Sequence, residues 1–168
     1  MASEKLLQEL NNQFNFELLS GHYYMAMAAY CASEDLEGFE NFFIVQGQEE
    51  YQHAMKFFHF INEMDGRVKM QAIEEPNNDY KSLIDVFEQA LHHEKLVTSK
   101  INNLMSIAKE ENCYATINFL QWFIAEQLEE ESSMKTIITS LKRIGENYAG
   151  IYMLDKELST RTLPPVQE

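Results

Sequence analysis

The chain has 168 residues, 45% of them apolar, which suits one domain with a full core and excludes a disordered chain. Its formal net charge of −14, from 27 acidic and 13 basic residues, argues against unspecific binding to nucleic acid or to an anionic membrane, since both need basic patches. Only 6 Gly and 3 Pro interrupt it, which favours long helices.

The first helix is predicted over about Ser3 to Ala32, with Ser3 as N-cap. Its inward positions read Leu6, Leu10, Gln13, Glu17, Ser20, Tyr24, Met27 and Cys31. A short turn, Ser33 to Gly38, makes the second helix an antiparallel neighbour. That helix runs from about Glu37 to Asp65 and stops at Gly66, read as a C-terminal glycine. Its seam is Phe43, Gln46, Glu50, His53, Phe57, Phe60 and Met64, in alternating steps of three and four.

The segment from Arg67 to Lys81 has no periodicity. About 15 extended residues span about 50 Å, and a helix of about 28 residues is about 42 Å long. The segment can therefore cross the whole bundle and start a third helix parallel to the second. Ser82 is the expected N-cap, with Asp85 completing a capping-box variant. The third helix covers about Leu83 to Lys109, with seam Phe87, Ala90, Glu94, Val97, Ile101, Leu104 and Ala108. The turn 110–112 follows, with Asn112 expected to cap a fourth helix over about Cys113 to Lys142. That helix has seam Leu120, Phe123, Gln127, Glu130, Met134, Ile137 and Leu141. After Gly145 comes a short fifth helix, about Glu146 to Leu158, and a polar tail, 159–168.

Each long helix carries a polar interruption of its seam near mid-length: Glu17, Glu50 with His53, Glu94, and Gln127 with Glu130. Glu50 and His53 are one turn apart and point to the same spot. Glu94 lies 16 residues before Glu110, and Glu130 lies 17 after Cys113, so in an antiparallel hairpin the two meet at one level. Glu17 lies 17 before Glu34 and His53 lies 16 after Glu37, which places the first pair at the same level. A single buried polar residue can serve only to fix register. Four carboxylates in one layer repel each other and need a counter-charge. Two divalent ions supply it. Oxygen-rich ligation with one nitrogen and no thiolate disfavours structural zinc and suits iron or manganese.

With this ligand order (Glu, Glu-x-x-His, Glu, Gln-x-x-Glu) the chain resembles a ferritin over nearly its whole length, and most resembles the prokaryotic non-haem ferritins. The resemblance implies an all-α fold: a ferritin-like four-helix bundle with a long second-to-third crossover and a short C-terminal fifth helix, residues 1–168 forming a single di-iron domain. It implies that Glu17, Glu50 and His53 hold a first iron, that Glu50 bridges, and that Glu94 and Glu130 hold a second with Gln127 close by. Tyr24 matches the tyrosine beside the centre in that family, and Trp122 also stands at a familiar position. Glu49, Glu126 and Glu129, together with Glu130, resemble a third iron site on the cavity side; their plainer reading is a solvated acidic face.

Gln52 stands where bacterioferritins place a haem-ligating Met, so no haem is expected. The acidic pair that lines a pore in animal heavy chains is aligned with Ile117 and Leu120, which leaves the iron entry route open. His22, His59, His92 and His93 read as surface or packing residues.

The function implied is iron storage with ferroxidase activity. Fe(II) is oxidised to Fe(III) by dioxygen at the di-iron centre and kept as ferric oxyhydroxide in a hollow homo-oligomeric cage of twenty-four subunits. The alternative is a ferritin-like di-iron redox enzyme without mineral storage, although the paired CxxC motifs of rubrerythrin-type peroxidases are absent. A mini-ferritin is disfavoured by the fifth helix. A metal-free binding module would not need Glu50. Cys31 and Cys113 read as free thiols in a reducing compartment, and the chain offers neither a signal-peptide core nor a membrane-spanning run, so the cytoplasm is the expected location.

Overall fold

The computed structural model describes residues 2–166. The last two residues of the expected tail, and residue 1, lie outside the described residues. Five helices follow in order: α1 (Glu4–Ser33), α2 (Glu37–Glu63), α3 (Leu83–Glu110), α4 (Tyr114–Ile144) and α5 (Tyr148–Leu158). There is no strand among the described residues. α1 packs along α2 and α3 along α4, with α1 also meeting α3 and α5 lying mainly against α2.

Every inward position expected on α1, α3 and α4 is buried, and so are those of α2 as far as Phe60. Met64 is only half-buried because α2 has already ended there. The apolar core comes in two blocks. One gathers Met27, Cys31, Phe39, Phe43, Phe87, Met134 and Leu141. The other gathers Leu6, Leu10, Phe57, Ile101, Leu104, Leu120 and Phe123. The polar layer of the four seams lies between them. Leu120, one of the two positions aligned with the acidic pore pair of animal heavy chains, is wholly buried in the second block.

The crossover runs the length of α1. At one end Asn11 and Asn15 hold the backbone of Lys69 and Gln71. At the other, the Tyr80 ring meets Tyr30 edge-on at 5.2 Å. α3 therefore starts beside the C-terminal end of α1 and runs parallel to α2, as the loop length requires.

The caps differ from expectation in a consistent way. Ser3 and Ser82 do cap their helices, accepting from Leu6 N and Asp85 N. Asp85, however, closes its side of the box on Lys81 N at 2.8 Å. Asn112 does not cap α4. Cys113 occupies the N-cap position without a side-chain bond, and Asn112 is instead the left-handed residue (φ 55°) that ends α3. Asp35 and Asp65 do the same after α1 and α2, with φ of 57° and 59°. In each case the next residue donates back into the last turn: Leu36 N to Cys31 O, Gly66 N to Ile61 O, Cys113 N to Ala108 O. These are Schellman closures, in which Asp and Asn tolerate the left-handed region. Gly66 is thus needed for space rather than for its φ: a Cβ there would lie 2.9 Å from Ile61 Cγ2 and Ile61 O.

α5 is fastened at both ends of its contact with α2. Asp155 Oδ1 accepts from Gly38 N and Phe39 N. Asn41 Nδ2 donates to the carbonyls of Leu158 and Arg161. The tail then continues along α2, where Gln52 Nε2 donates to Pro164 O at 3.4 Å.

Candidate metal centre

Glu17, Glu50, Glu94 and Glu130 are 0%, 1%, 0% and 5% exposed. Ligand atoms of Glu17, Glu50 and His53 lie within 4.8 Å of one another, and so do those of His53, Glu126 and Glu130. His53 belongs to both groups. Its Nδ1 faces Glu50 Oε2 at 3.3 Å and its Nε2 faces Glu126 Oε1 at 3.9 Å. The edges of Trp122 and Phe123 fix its ring, at centroid distances of 5.4 and 5.9 Å.

Amides and a phenol hold the other oxygens. Gln13 Nε2 donates to Glu17 Oε1 at 2.7 Å. Gln46 Nε2 donates to Glu130 Oε2 at 2.7 Å. Gln127 Nε2 donates to Glu94 Oε2 at 3.0 Å, and the Tyr24 hydroxyl donates to Glu94 Oε1. Tyr24 is itself stacked on Phe43. Glu94 accordingly joins neither ligand group, although it is as deeply buried as the rest.

The three residues expected at a third position fare differently. Glu126 is half-buried beside His53, and Glu129 is exposed and outside both groups. Glu49 is buried, although it points off the main seam, because Arg161 of the tail covers it. Arg161 Nη2 donates to Glu49 Oε2 and to Gln46 Oε1, the latter at 2.8 Å; Nη1 donates to Phe42 O at 3.2 Å. Its guanidinium carbon lies 4.3 Å from the centre of the Phe42 ring. Sequence reasoning missed Arg161: it stands alone in an aperiodic tail, and only the docking of α5 brings it here. Gln13 and Gln46 were detectable as further polar interruptions of the seams.

His93 is the exception among the remaining histidines, since His22, His59 and His92 are exposed. It is buried against the Phe16 ring with its Nε2 2.7 Å from Ser20 Oγ. Burial lowers it from 6.5 to about 4.

Burial also raises every carboxyl of the layer. Repulsion from Glu50 adds to the rise at Glu17, that from Glu94 and Glu130 to the rise at Glu50, and that from Glu94 to the rise at Glu130. Hydrogen bonds from Tyr24 and Gln127 oppose the rise at Glu94. Tyr24 is pushed well above the ordinary phenol range, by burial first and by Glu94 next. It is a neutral donor.

The donor set fits cations. Glu17 Oε2 is buried and accepts no hydrogen bond, and the group it faces is the Glu50 carboxyl. A proton or a metal ion satisfies such an atom. Two divalent ions cancel the four charges with oxygen and imidazole ligands, which suits iron or manganese better than structural zinc.

Residues 7–144 match the model of the ferritin-like domain. The bacterial non-heme ferritin of Staphylococcus aureus (strain MRSA252) is 44% identical over 162 residues, 96% of this chain and 98% of that protein. That of Staphylococcus haemolyticus (strain JCSC1435) is 43% identical over the same length. A closed form of the Archaeoglobus fulgidus ferritin, engineered by site-directed mutagenesis, superposes with a TM-score of 0.96 at 46% identity, covering 98% of this chain and 100% of that one. The open-pore ferritin of the same hyperthermophilic archaeon gives 0.95 at 46% identity, over 96% of this chain and 100% of that one. With its bundle, its crossover and its buried carboxylate layer, the chain belongs to the ferritin-like family.

Proposed function

We propose that this chain, acting as a single domain, is an iron-storage ferritin with ferroxidase activity. Fe(II) is its substrate and dioxygen the oxidant. The observation that carries the reading is the unsatisfied Glu17 Oε2 inside a layer of four buried carboxyls and one imidazole. A layer built only for register would satisfy its own oxygens.

Glu17, Glu50 and His53 form the first position, and Glu50 lies between it and Glu94 and Glu130, which serve the second. Two Fe(II) give one electron each to one dioxygen, which takes up two protons and leaves as hydrogen peroxide, and the two Fe(III) pass on to a ferric oxyhydroxide store. Binding displaces the protons that the raised carboxyls hold. Glu94 must exchange its Tyr24 and Gln127 hydrogen bonds for the metal, and those donors oppose the rise of its carboxyl and aim it until then. Tyr24, neutral and in contact with Glu94, is placed to supply a further electron. Glu126, half-buried and facing His53 Nε2, offers the Fe(III) a next carboxylate on its way out.

The likeness to complete ferritins supports assembly into a hollow cage of twenty-four subunits, and the absence of any helix apolar enough to cross a membrane among the described residues agrees with a cytoplasmic store. Aerobic titration of the apo-protein with Fe(II), counting the iron that stays soluble and co-elutes with protein, tests the reading. Uptake far beyond the few ions per chain that the ligands can hold supports storage. Uptake that stops at two or three ions with oxygen still consumed would leave a di-iron redox enzyme without a store.

A further inference from the structure

Glu17 is wholly buried, yet a single side chain separates it from a polar cavity. Between α1 and α3 lies a space of about 220 Å³ lined by Glu9, Asn12, Gln13, Ser99, Lys100 and Asn103. Ser99, Lys100 and Asn103 are exposed and form its mouth, with Glu9 and Asn12 half-buried. Gln13 is its buried polar wall: it is 3% exposed, and its Nε2 donates to Glu17 Oε1 at 2.7 Å. Leu10, Val97 and Ile101 fill the core on that side, and a cation crossing such apolar surface would be left without ligands. The cavity replaces that surface with amide and hydroxyl oxygens, which suit a hard divalent cation. The opposite side of the layer, between α2 and α4, is closed around His53 by the edges of Trp122 and Phe123 and carries Glu126.

We infer that the α1–α3 cavity is the inlet for Fe(II). Ions collect at Glu9, pass the Gln13 amide and reach Glu17, while the ferric product leaves on the opposite face past Glu126. The inference rests on the metal-centre reading above. Gln13 suits a gate because it is neutral and already bonded to the first ligand. Turning its amide frees Glu17 Oε1 and presents the amide oxygen to the incoming ion. Two opposite charges at the mouth set the rate. Glu9 draws cations inward. Lys100, whose Nζ lies 4.5 Å from the centre of the Phe16 ring, opposes them.

An inlet changes the rate of binding without changing the affinity, because residues at the mouth do not touch the bound ion. The experiment mixes one Co(II) per chain with the assembled full-length apo-protein in a stopped flow and follows the visible d–d absorption. A parallel calorimetric titration gives the equilibrium affinity. Glu9→Lys is expected to bind more slowly than the wild type and Lys100→Glu faster, about tenfold or more apart, at equal affinity. Asn103→Trp, which fills the mouth without altering charge, is expected to slow binding by a similar factor. Salt separates the two effects, since the Debye length falls from about 10 Å at 0.1 M to about 3 Å at 1 M. The spread between the charge variants then collapses, whereas Asn103→Trp stays slow. Where Asn103→Trp fails to assemble, Ser99→Trp on the same rim takes its place. Wild-type rates in all three variants overturn the inference. So do charge effects without any effect of the Trp, which would assign the rates to the general field of the protein. If the wild type binds no Co(II) in the calorimeter, the metal-centre reading fails first and takes the inlet with it.

Discussion

Asp155 caps a helix to which it does not belong: its Oδ1 accepts the backbone N–H of Gly38 at 2.8 Å, in the first turn of α2. The residue at the N-cap position itself is Leu36, which offers no side-chain acceptor. A carboxylate delivered from α5 therefore satisfies donors that the local sequence leaves open, and it stands where the helix dipole favours negative charge. Asp155→Ala is expected to cost about 1–2 kcal/mol of stability. Gly38→Ala is expected to cost more, because its Cβ would fall 1.6 Å from Asp155 O, a backbone atom that cannot step aside. Thermal unfolding of both variants, with hydrogen exchange across residues 148–158, checks the ranking. An Asp155→Ala protein as stable as the wild type would show that the cap is redundant.

The carboxylate layer should make the apo-protein less stable as pH rises. Glu17, Glu50 and Glu130 are all raised well above the ordinary range in the folded chain, mainly by burial. The folded state then binds more protons than the unfolded one, so stability falls with pH from the ordinary carboxylate range upward. Glu50→Gln removes one of these charges and keeps the shape. It is expected to stabilise the apo-protein at neutral pH, by ~1 kcal/mol or more, with a gain that shrinks on acidification and vanishes near pH ~4. Denaturant unfolding of both proteins in chelator across that range measures it. A variant less stable than the wild type at neutral pH would make Glu50 a structural residue.

The part of this arrangement that was legible in the sequence is the part that repeats. Steps of three and four mark which side of each helix faces inward, and at matched depth they bring Glu17, Glu50, His53, Glu94, Gln127 and Glu130 into one layer. Periodicity is silent about which distant segment covers an element's end or flank. Asp155 reads as one acidic residue among 27 and Arg161 as one basic residue among 13; both acquire their partners only when α5 folds back on α2. The helix stops were misread for a related reason. Gly66 and Asn112 carry the right chemistry for a terminus, but the left-handed position is set by where the last inward residue falls, which selects Asp65 after α2 and makes Asn112 the end of α3 rather than the cap of α4. The split between the two ligand groups was equally hidden, because it depends on which carboxyls capture Tyr24 and the glutamines.

Two asparagines of α1 carry the crossover, and they do so with both ends of their amides. Asn11 accepts from Lys69 N at 2.7 Å and donates to Lys69 O at 3.1 Å. Asn15 donates to Lys69 O at 2.9 Å and accepts from Gln71 N at 2.9 Å. Asn15 is buried, so a change there strands backbone groups of the loop. Asn15→Asp keeps the shape and the acceptor but loses the donor and adds a charge beside two carbonyls, Lys69 O and Asn11 O. It is expected to cost about 1–3 kcal/mol, more than Asn15→Ala would if repulsion dominates. Faster exchange of the Lys69 and Gln71 amides in both variants would place the damage in the crossover. Unchanged exchange there would mean that the loop is held by other contacts.

His93 pulls the acid response the other way. The Ser20 hydroxyl donates its single proton to Phe16 O at 2.9 Å, so it can only accept from His93 Nε2. That arrangement suits the neutral Nε2–H tautomer, with the ring packed on Phe16 and edge-on to Tyr24. Burial lowers it from 6.5 to about 4. Here the unfolded state binds the extra proton, so the contribution is complete above the ordinary imidazole value and is lost as pH falls through about 4. Its size is on the order of 3 kcal/mol. The apo-protein is thus strengthened at its carboxylate layer and weakened at His93 by the same acidification, and the wild type alone will show only their difference. His93→Gln retains a donor for Ser20 and cannot take up the proton. Its stability deficit against the wild type should be largest near neutral pH and should close between pH 6.5 and about 4. A deficit independent of pH would assign His93 to packing alone, and the acid response would then belong to the carboxylates.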